Sequence, residues 1–251
     1  MSLIEAYEIS KVCEKSRLKC ISFDIDEKGV YGFLGKEGSG KSLLCEVLAG
    51  ACDIDEGRLC YKGRALYENE KDTAKAKLKI GYVAQHSFFD RDMTVLELLD
   101  IEGKIKCVDP DKRFRQIKEA LELTDLSDKR EVLIEDITLS EKKRLGIAAA
   151  LIGNPDVIIM DEPFQYLDKN QANAVKEIIR MVRNKKVILI FTRRDDDIRE
   201  ISDTIAFLHA GELILWKNGS ELLKTLEENK LGSLDDALVA LTEEDCLRGL
   251  E

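Results

Sequence analysis

Histidine is nearly absent from this chain: His86 and His209 are the only two in 251 residues, and none of the seven cysteines (Cys13, Cys20, Cys45, Cys52, Cys60, Cys107 and Cys246) forms a C-x-x-C pair. That argues against a zinc site, which draws four ligands from those residue types. An odd number of scattered cysteines reads as reduced thiols, mostly serving as small buried apolar residues in a cytoplasmic protein. Neither histidine is assigned a catalytic role, and His209 reads as the end of a strand over Thr204 to Leu208. Long apolar runs are missing too. Ile147 to Ile152 and Val187 to Phe191 fall far short of the ~18 residues that a membrane span requires. The opening MSLIEAYEISK lacks a basic segment followed by an apolar one, so a soluble, non-secreted chain is expected. There is no basic stripe. Lys and Arg total 39 against 49 Asp and Glu, a formal charge of −10, which speaks against sequence-independent nucleic-acid binding and for a solvated acidic surface. Linkers, repeats and low-complexity segments are absent apart from Asp195 to Asp197. The length suits one α/β domain carrying an inserted subdomain.

What is present begins with residues 35–42, GKEGSGKS, a complete G-x-x-x-x-G-K-S/T phosphate loop. It lies between the strand-like run Val30 to Leu34 and a helical pattern over Leu43 to Leu48. Glycines let such a backbone curl so that its N–H groups face a phosphate, and the helix N-terminus adds its dipole. Gly35, Lys36, Glu37, Gly38, Ser39, Gly40, Lys41, Ser42 and Leu43 are therefore the predicted nucleotide contacts, with Lys41 on the β- and γ-phosphates and the Ser42 hydroxyl on Mg²⁺.

The alternations at Ile4 to Ile9 and Cys20 to Ile25 predict antiparallel strands, followed by strands at Arg58 to Tyr61 and Ile80 to Val83. From Thr94 to Ala150 the period is helical, with Thr94 as an N-cap and Pro110 near a helix start. Strands at Val157 to Met160 and Val187 to Phe191 then flank a helix over Lys169 to Arg183, the pattern of buried parallel strands with a crossover.

The first of these late strands runs VIIM into Asp161, Glu162 and Pro163, a Walker B pattern. A carboxylate at the end of a buried strand beside a phosphate loop can hold Mg²⁺ through water, the role predicted for Asp161. Glu162 would then stand next to the γ-phosphate and polarise the attacking water as general base.

With both motifs in place, the chain resembles the ATP-binding-cassette (ABC) ATPase family over nearly its whole length. Gln85, in GYVAQHSFFDRDMTVLELL, resembles the Q-loop glutamine, which in that family touches the metal and the attacking water. Tyr166, Leu167 and Asp168 resemble the D-loop. The resemblance implies a P-loop NTPase ABC-cassette fold of α/β class, with an antiparallel β subdomain and an inserted α-helical subdomain. The implied boundaries are 1–85 and 151–215 for the nucleotide-binding core with its β subdomain, 86–150 for the helical subdomain, and 216–251 for a C-terminal helical extension, all in one cassette over 1–251. The context GVYGFLG and the C-terminal GSLDDALVALTEED resemble the drug- and multi-substrate-exporter branch.

The departures from the family pattern are specific. Where the family has an LSGGQ signature, residues 139–144 read LSEKKR. The alignment keeps Ser140, places Glu141 and Lys142 at the glycine positions, and puts Lys143 where the glutamine stands. A carboxylate about 4 Å from phosphate charge costs on the order of 4 kcal/mol per unit charge at an effective dielectric of 20. A weakened contact with a partner's nucleotide is therefore expected, or else LSEKKR is simply a solvated helix start with Ser140 as N-cap. FTRR places Arg193 where the family usually has its switch histidine. Arginine can bind a γ-phosphate but does not titrate near neutrality. The aromatic that usually stacks adenine aligns with Val12 or Cys13, leaving Tyr7 or another chain as substitutes.

These features imply an ATP-hydrolysing subunit that uses ATP and Mg²⁺. It would pair with a second ATP-binding cassette, identical or different, and drive an integral membrane permease, with no nucleic-acid partner. It would be cytoplasmic and peripheral on the inner face of the cell membrane through that permease. Phe88 and Phe89 would either help form the groove for a permease helix or pack locally beneath the helical insert. The alternative is a regulatory cassette that holds ATP with little or no hydrolysis. A soluble cassette acting on ribosomes or DNA is disfavoured, because such relatives usually carry tandem cassettes or basic arms.

Overall fold

The computed structural model describes residues 2–14, 16–86 and 89–218. In chain order the elements are β1 (Ile4–Cys13), β2 (Ser16–Ile25), β3 (Gly29–Leu34), α1 (Lys41–Leu48), β4 (Glu56–Tyr61), β5 (Arg64–Ala65), α2 (Glu70–Lys77) and β6 (Ile80–Val83). They continue with α3 (Val95–Ile105), α4 (Pro110–Leu123), α5 (Leu139–Leu151), β7 (Val157–Asp161), α6 (Lys169–Val182), β8 (Val187–Thr192), α7 (Asp195–Ile198), β9 (Thr204–His209) and β10 (Glu212–Asn218).

Two sheets form. One is antiparallel, in the order β2-β1-β4-β5. The other runs β10-β9-β3-β8-β7-β6 and is parallel except for β10. The strands of its centre are buried on both faces, which is why β3, β7 and β8 read as continuous apolar runs rather than alternating ones. One face carries Phe33, Ile159, Leu189 and Phe191 against α1 residues Leu44, Val47 and Leu48 and the antiparallel sheet. The other carries Ile158, Met160, Ile188 and Ile190 against Val175, Ile178 and Ile179 of α6. Helix α1 is thus clamped between the sheets, and its first turn is held at the carboxyl ends of the parallel strands.

The helical insert has its own core from α3, α4 and α5. Helix α3 starts on a reciprocal capping box: Thr94 accepts from the Glu97 amide while Glu97 accepts from the Thr94 amide. Helix α4 opens with Pro110 after the Asp109 cap. Helix α5 is buried on two sides. Leu145, Ala148 and Ala149 face the insert core, and Ile147 and Ala150 join the core under the parallel sheet. It therefore ties the insert to the nucleotide-binding half.

Two expectations require correction. Strand β10 runs to Asn218, so 216–218 are not part of a helical extension; 219–251, including GSLDDALVALTEED, lie outside the described residues. Ser140 does not cap α5. The cap is Thr138, which accepts from the Glu141 amide while Glu141 accepts from the Thr138 amide, and Ser140 is buried inside the first turn. The reason is local: T-x-x-E at 138–141 is a complete capping box and S-x-x-K at 140–143 is not.

Candidate active site

The phosphate loop leaves the end of β3 and enters α1 through two residues in left-handed backbone, Gly38 and Gly40, with φ of 77° and 101°. Only glycine takes these without penalty. Gly35 is required for a different reason. A Cβ there would stand 2.4 Å from the Leu208 carbonyl oxygen and 2.5 Å from Ser39 Oγ. The loop is anchored from both sides: the Gly211 amide donates to the Ser39 carbonyl at 3.0 Å, and the Gly211 carbonyl accepts from the Lys19 amide at 2.8 Å. No side chain caps α1 and no acidic residue lies in its first turn. Its N-terminal amides and dipole therefore face the cleft with no built-in anion, the arrangement that binds phosphate.

A cleft of about 270 Å³ opens there, lined by Ser16, residues Glu37 to Leu43, Gln85, Glu162 and Arg193. Lys41 is buried, and its Nζ donates to the Gly35 and Lys36 carbonyls at 2.6 and 2.9 Å. Burial pushes its pKa down, opposed by the carboxylates of Glu162 and Asp161. Asp161, at the end of β7, is buried, and its Oδ1 has no hydrogen-bond partner. Burial holds its carboxyl above the usual range while the neighbouring Ser42 hydroxyl pulls the other way. A buried carboxylate oxygen left unpaired costs free energy that a cation would recover. Together with Ser42 it provides the hard oxygen donors that Mg²⁺ takes, so these residues fit that ion.

Glu162 follows in a left-handed conformation, φ 47°, uncommon for a side-chain-bearing residue and typical of strained functional positions. Its carboxylate is buried; Oε2 accepts from Thr192 Oγ1 at 3.1 Å and Oε1 lies 3.3 Å from Arg193 Nε. Arg193 also reaches Glu37 of the phosphate loop, Nη1 to Oε2 at 3.3 Å. Gln85 lines the same cleft while its side-chain amide donates to Gln165 Oε1 at 2.9 Å.

Other predicted residues lie elsewhere. Ser140 is outside the cleft lining, in the first turn of α5. Glu141 is folded back on the Thr138 amide, which holds its carboxyl below the usual range. Asp168 caps α6 in a reciprocal box with Gln171. Among the described residues no aromatic ring lines the cleft. Val12 and Cys13 are exposed at the end of β1, and Tyr7 borders a different cleft with Phe23 and Arg58. Phe88 lies outside the described residues. Phe89 packs against the core of the helical insert, which favours the local-packing role for that ring. Three contributors went unidentified in the sequence: Ser16 and Gln165, which carry no motif, and Thr192, whose place directly after the β8 run was the available signal.

The family described as ABC transporter matches residues 18–165. The linearmycin resistance ATP-binding protein LnrL of Bacillus subtilis is 29% identical over 226 residues, 89% of this chain and 72% of that protein. The methionine import ATP-binding protein MetN of Geobacillus kaustophilus is 29% identical over 198 residues, 77% of this chain and 58% of that protein. A dimeric structure of a post-hydrolysis state of the ATP-binding cassette MJ0796, bound to ADP and Pi, superimposes with a TM-score of 0.77 at 21% identity, covering 86% of this chain and 98% of that one. At that identity the likeness establishes the fold: a P-loop ABC-cassette with mixed α/β sheets.

Proposed function

Because this chain belongs to the ABC transporter family, whose cassettes are P-loop ATP hydrolases, we propose that it is the ATP-binding and ATP-hydrolysing subunit of a transporter with a separate membrane permease. The observation that carries this reading is the convergence of Lys41, Ser42 and Glu162 on one cleft, with a buried Asp161 oxygen left without a partner near the Ser42 hydroxyl. The phosphates of ATP would lie on the amides of residues 38–42. Lys41 would leave the Gly35 and Lys36 carbonyls for the β- and γ-phosphates. Ser42, Asp161 and Gln85 would hold Mg²⁺, which when bound neutralises charge on the transferred phosphoryl group. Glu162 would take the proton of the attacking water, oriented by Thr192.

Two cassettes would close on ATP and reopen after hydrolysis. Among the described residues no helix is long and apolar enough to cross a membrane, consistent with a cytoplasmic subunit held peripherally on the inner face of the membrane by its permease. Export is the direction we propose, on the resemblance of GVYGFLG and the C-terminal segment to the exporter branch. MetN, by its name an importer, is comparably similar overall, so the proposed direction rests on those two segments.

A specific observation favours the second reading, a cassette that holds ATP and hydrolyses little by itself. The start of α5, which would face the nucleotide of a second cassette, is already occupied by the anionic Glu141 on the Thr138 amide. A phosphate docking there meets a carboxylate instead of free amides. We therefore propose that efficient turnover needs a partner cassette with an intact signature. Nucleotide titrations with and without Mg²⁺ on the wild-type, Lys41→Ala and Asp161→Ala chains test the binding step. Affinity lost in Lys41→Ala and Mg²⁺ dependence lost in Asp161→Ala support the assignment; titrations unchanged by either substitution contradict it.

A further inference from the structure

Lys143 is buried in the second turn of α5, although that helix packs against apolar cores on two sides and an aliphatic side chain would suit it better. Its Nζ donates to the Gln85 carbonyl at 2.8 Å and approaches the Glu162 carbonyl at 3.4 Å. Burying an ammonium group is expensive unless it is hydrogen-bonded and near opposite charge. Both conditions hold here, since burial lowers its pKa while Asp161 and Glu162 support the charged form. The two acceptors belong to the residues whose side chains line the cleft from two separate segments, the loop after β6 and the turn after β7. Among the described residues no other side chain donates to both carbonyls.

We infer that Lys143 is a positioning residue: from α5 it fixes the backbone of Gln85 relative to that of Glu162, and so links the start of α5 to the geometry of the cleft. The start of α5 and Lys143 are about one helical turn apart, so displacement of the helix start by a docked cassette moves the ammonium group with it. The carbonyls of Gln85 and Glu162 then follow. This inference rests on the proposed reading for what the movement achieves, but the link itself exists in the chain without nucleotide.

The test separates the two. Amide hydrogen exchange is measured on the nucleotide-free full chain and on K143M, which removes the donor, and K143R, which keeps it. Exchange in 84–86 and 162–165 is expected to accelerate by about tenfold or more in K143M and to stay near wild type in K143R, with the far end of α5 unchanged. Equal acceleration in both variants, or acceleration spread evenly through α5 and the insert, reduces Lys143 to a packing residue and overturns the inference. Unchanged exchange in K143M overturns it as well. If K143R does not fold, K143Q, which retains an N–H donor without charge, takes its place with the same expected outcome. Steady-state kinetics form a second arm: K143M should lower kcat with KM changed by less than about threefold, because uniform binding is left intact. Failure of the wild-type chain to bind nucleotide would count against the proposed function while leaving the exchange result decisive for Lys143.

Discussion

Arg193 Nε lies 3.3 Å from Glu162 Oε1, and the other end of the same guanidinium reaches Glu37 Oε2 at 3.3 Å. One side chain thus bridges the carboxylate proposed as general base and the rim of the phosphate loop, across the mouth of the cleft. Glu162 is buried and Glu37 is exposed, so the Glu162 contact is the stronger of the two and the Glu37 contact the easier to exchange for a phosphate oxygen. An incoming γ-phosphate would compete for Arg193 and leave Glu162 free to face water.

Arg193→Ala should therefore weaken ATP binding by about tenfold, the size of one charge-assisted hydrogen bond, with a smaller effect on ADP. Competitive titration of both nucleotides checks this; equal effects on ATP and ADP would place Arg193 away from the γ-phosphate. Arg193→His should add a titration to the rate or to ATP affinity between about pH 6 and 7, which the arginine cannot have.

Glu141→Gln keeps the fold of the α5 start but removes the charge that a second cassette's nucleotide would meet. In a Glu162→Gln background, which blocks turnover, ATP-induced self-association followed by sedimentation should strengthen with the added substitution. No change would show that the α5 start does not face the partner's nucleotide.

The cap itself has a pH signature. The folded-state pKa of Glu141 is depressed by the Thr138 amide, so its contribution is present above the unfolded value and is lost as pH falls through the folded one. Glu141→Ala should cost about 1 kcal/mol at pH 7, the net worth of one hydrogen bond, and the gap should close in acid below the ordinary carboxylate range. Denaturant unfolding at several pH values measures it, and a gap independent of pH would contradict the ionised capping box.

Asp161→Asn should stabilise the nucleotide-free chain by about 1 kcal/mol, since it relieves a buried carboxylate with an unpaired oxygen, and should abolish the Mg²⁺ dependence of ATP affinity. Thermal melts and titrations on the same variant check both halves; destabilisation would mean that the carboxylate is better satisfied than its surroundings indicate.

What was readable in the sequence was local. The phosphate loop, the strand Ile80 to Val83, the Thr94 cap and the Asp161–Glu162 strand end are each specified by neighbouring residues, and each is found at its expected place. At the α5 start the cap is Thr138 and not Ser140, because Thr138 and Glu141 spell the capping box. The Lys143 contacts and the Arg193 bridge join segments far apart in the chain. No periodicity or spacing encodes such contacts. Thr192 stood beside a recognised strand, but its bond to Glu162 depends on β7 and β8 pairing in parallel with Asp161 opposite Phe191.

The central claim is that this chain carries phosphate, Mg²⁺ and general-base groups of its own yet turns over efficiently only with a partner cassette. Steady-state ATPase activity of the purified chain with Mg²⁺-ATP, beside Lys41→Ala and Glu162→Gln, tests it most directly. The account predicts tight, Lys41-dependent binding with turnover well under about one per second, and what turnover there is lost in Glu162→Gln. Turnover of the chain alone at tens per second, in the range of ordinary enzymes, would contradict it.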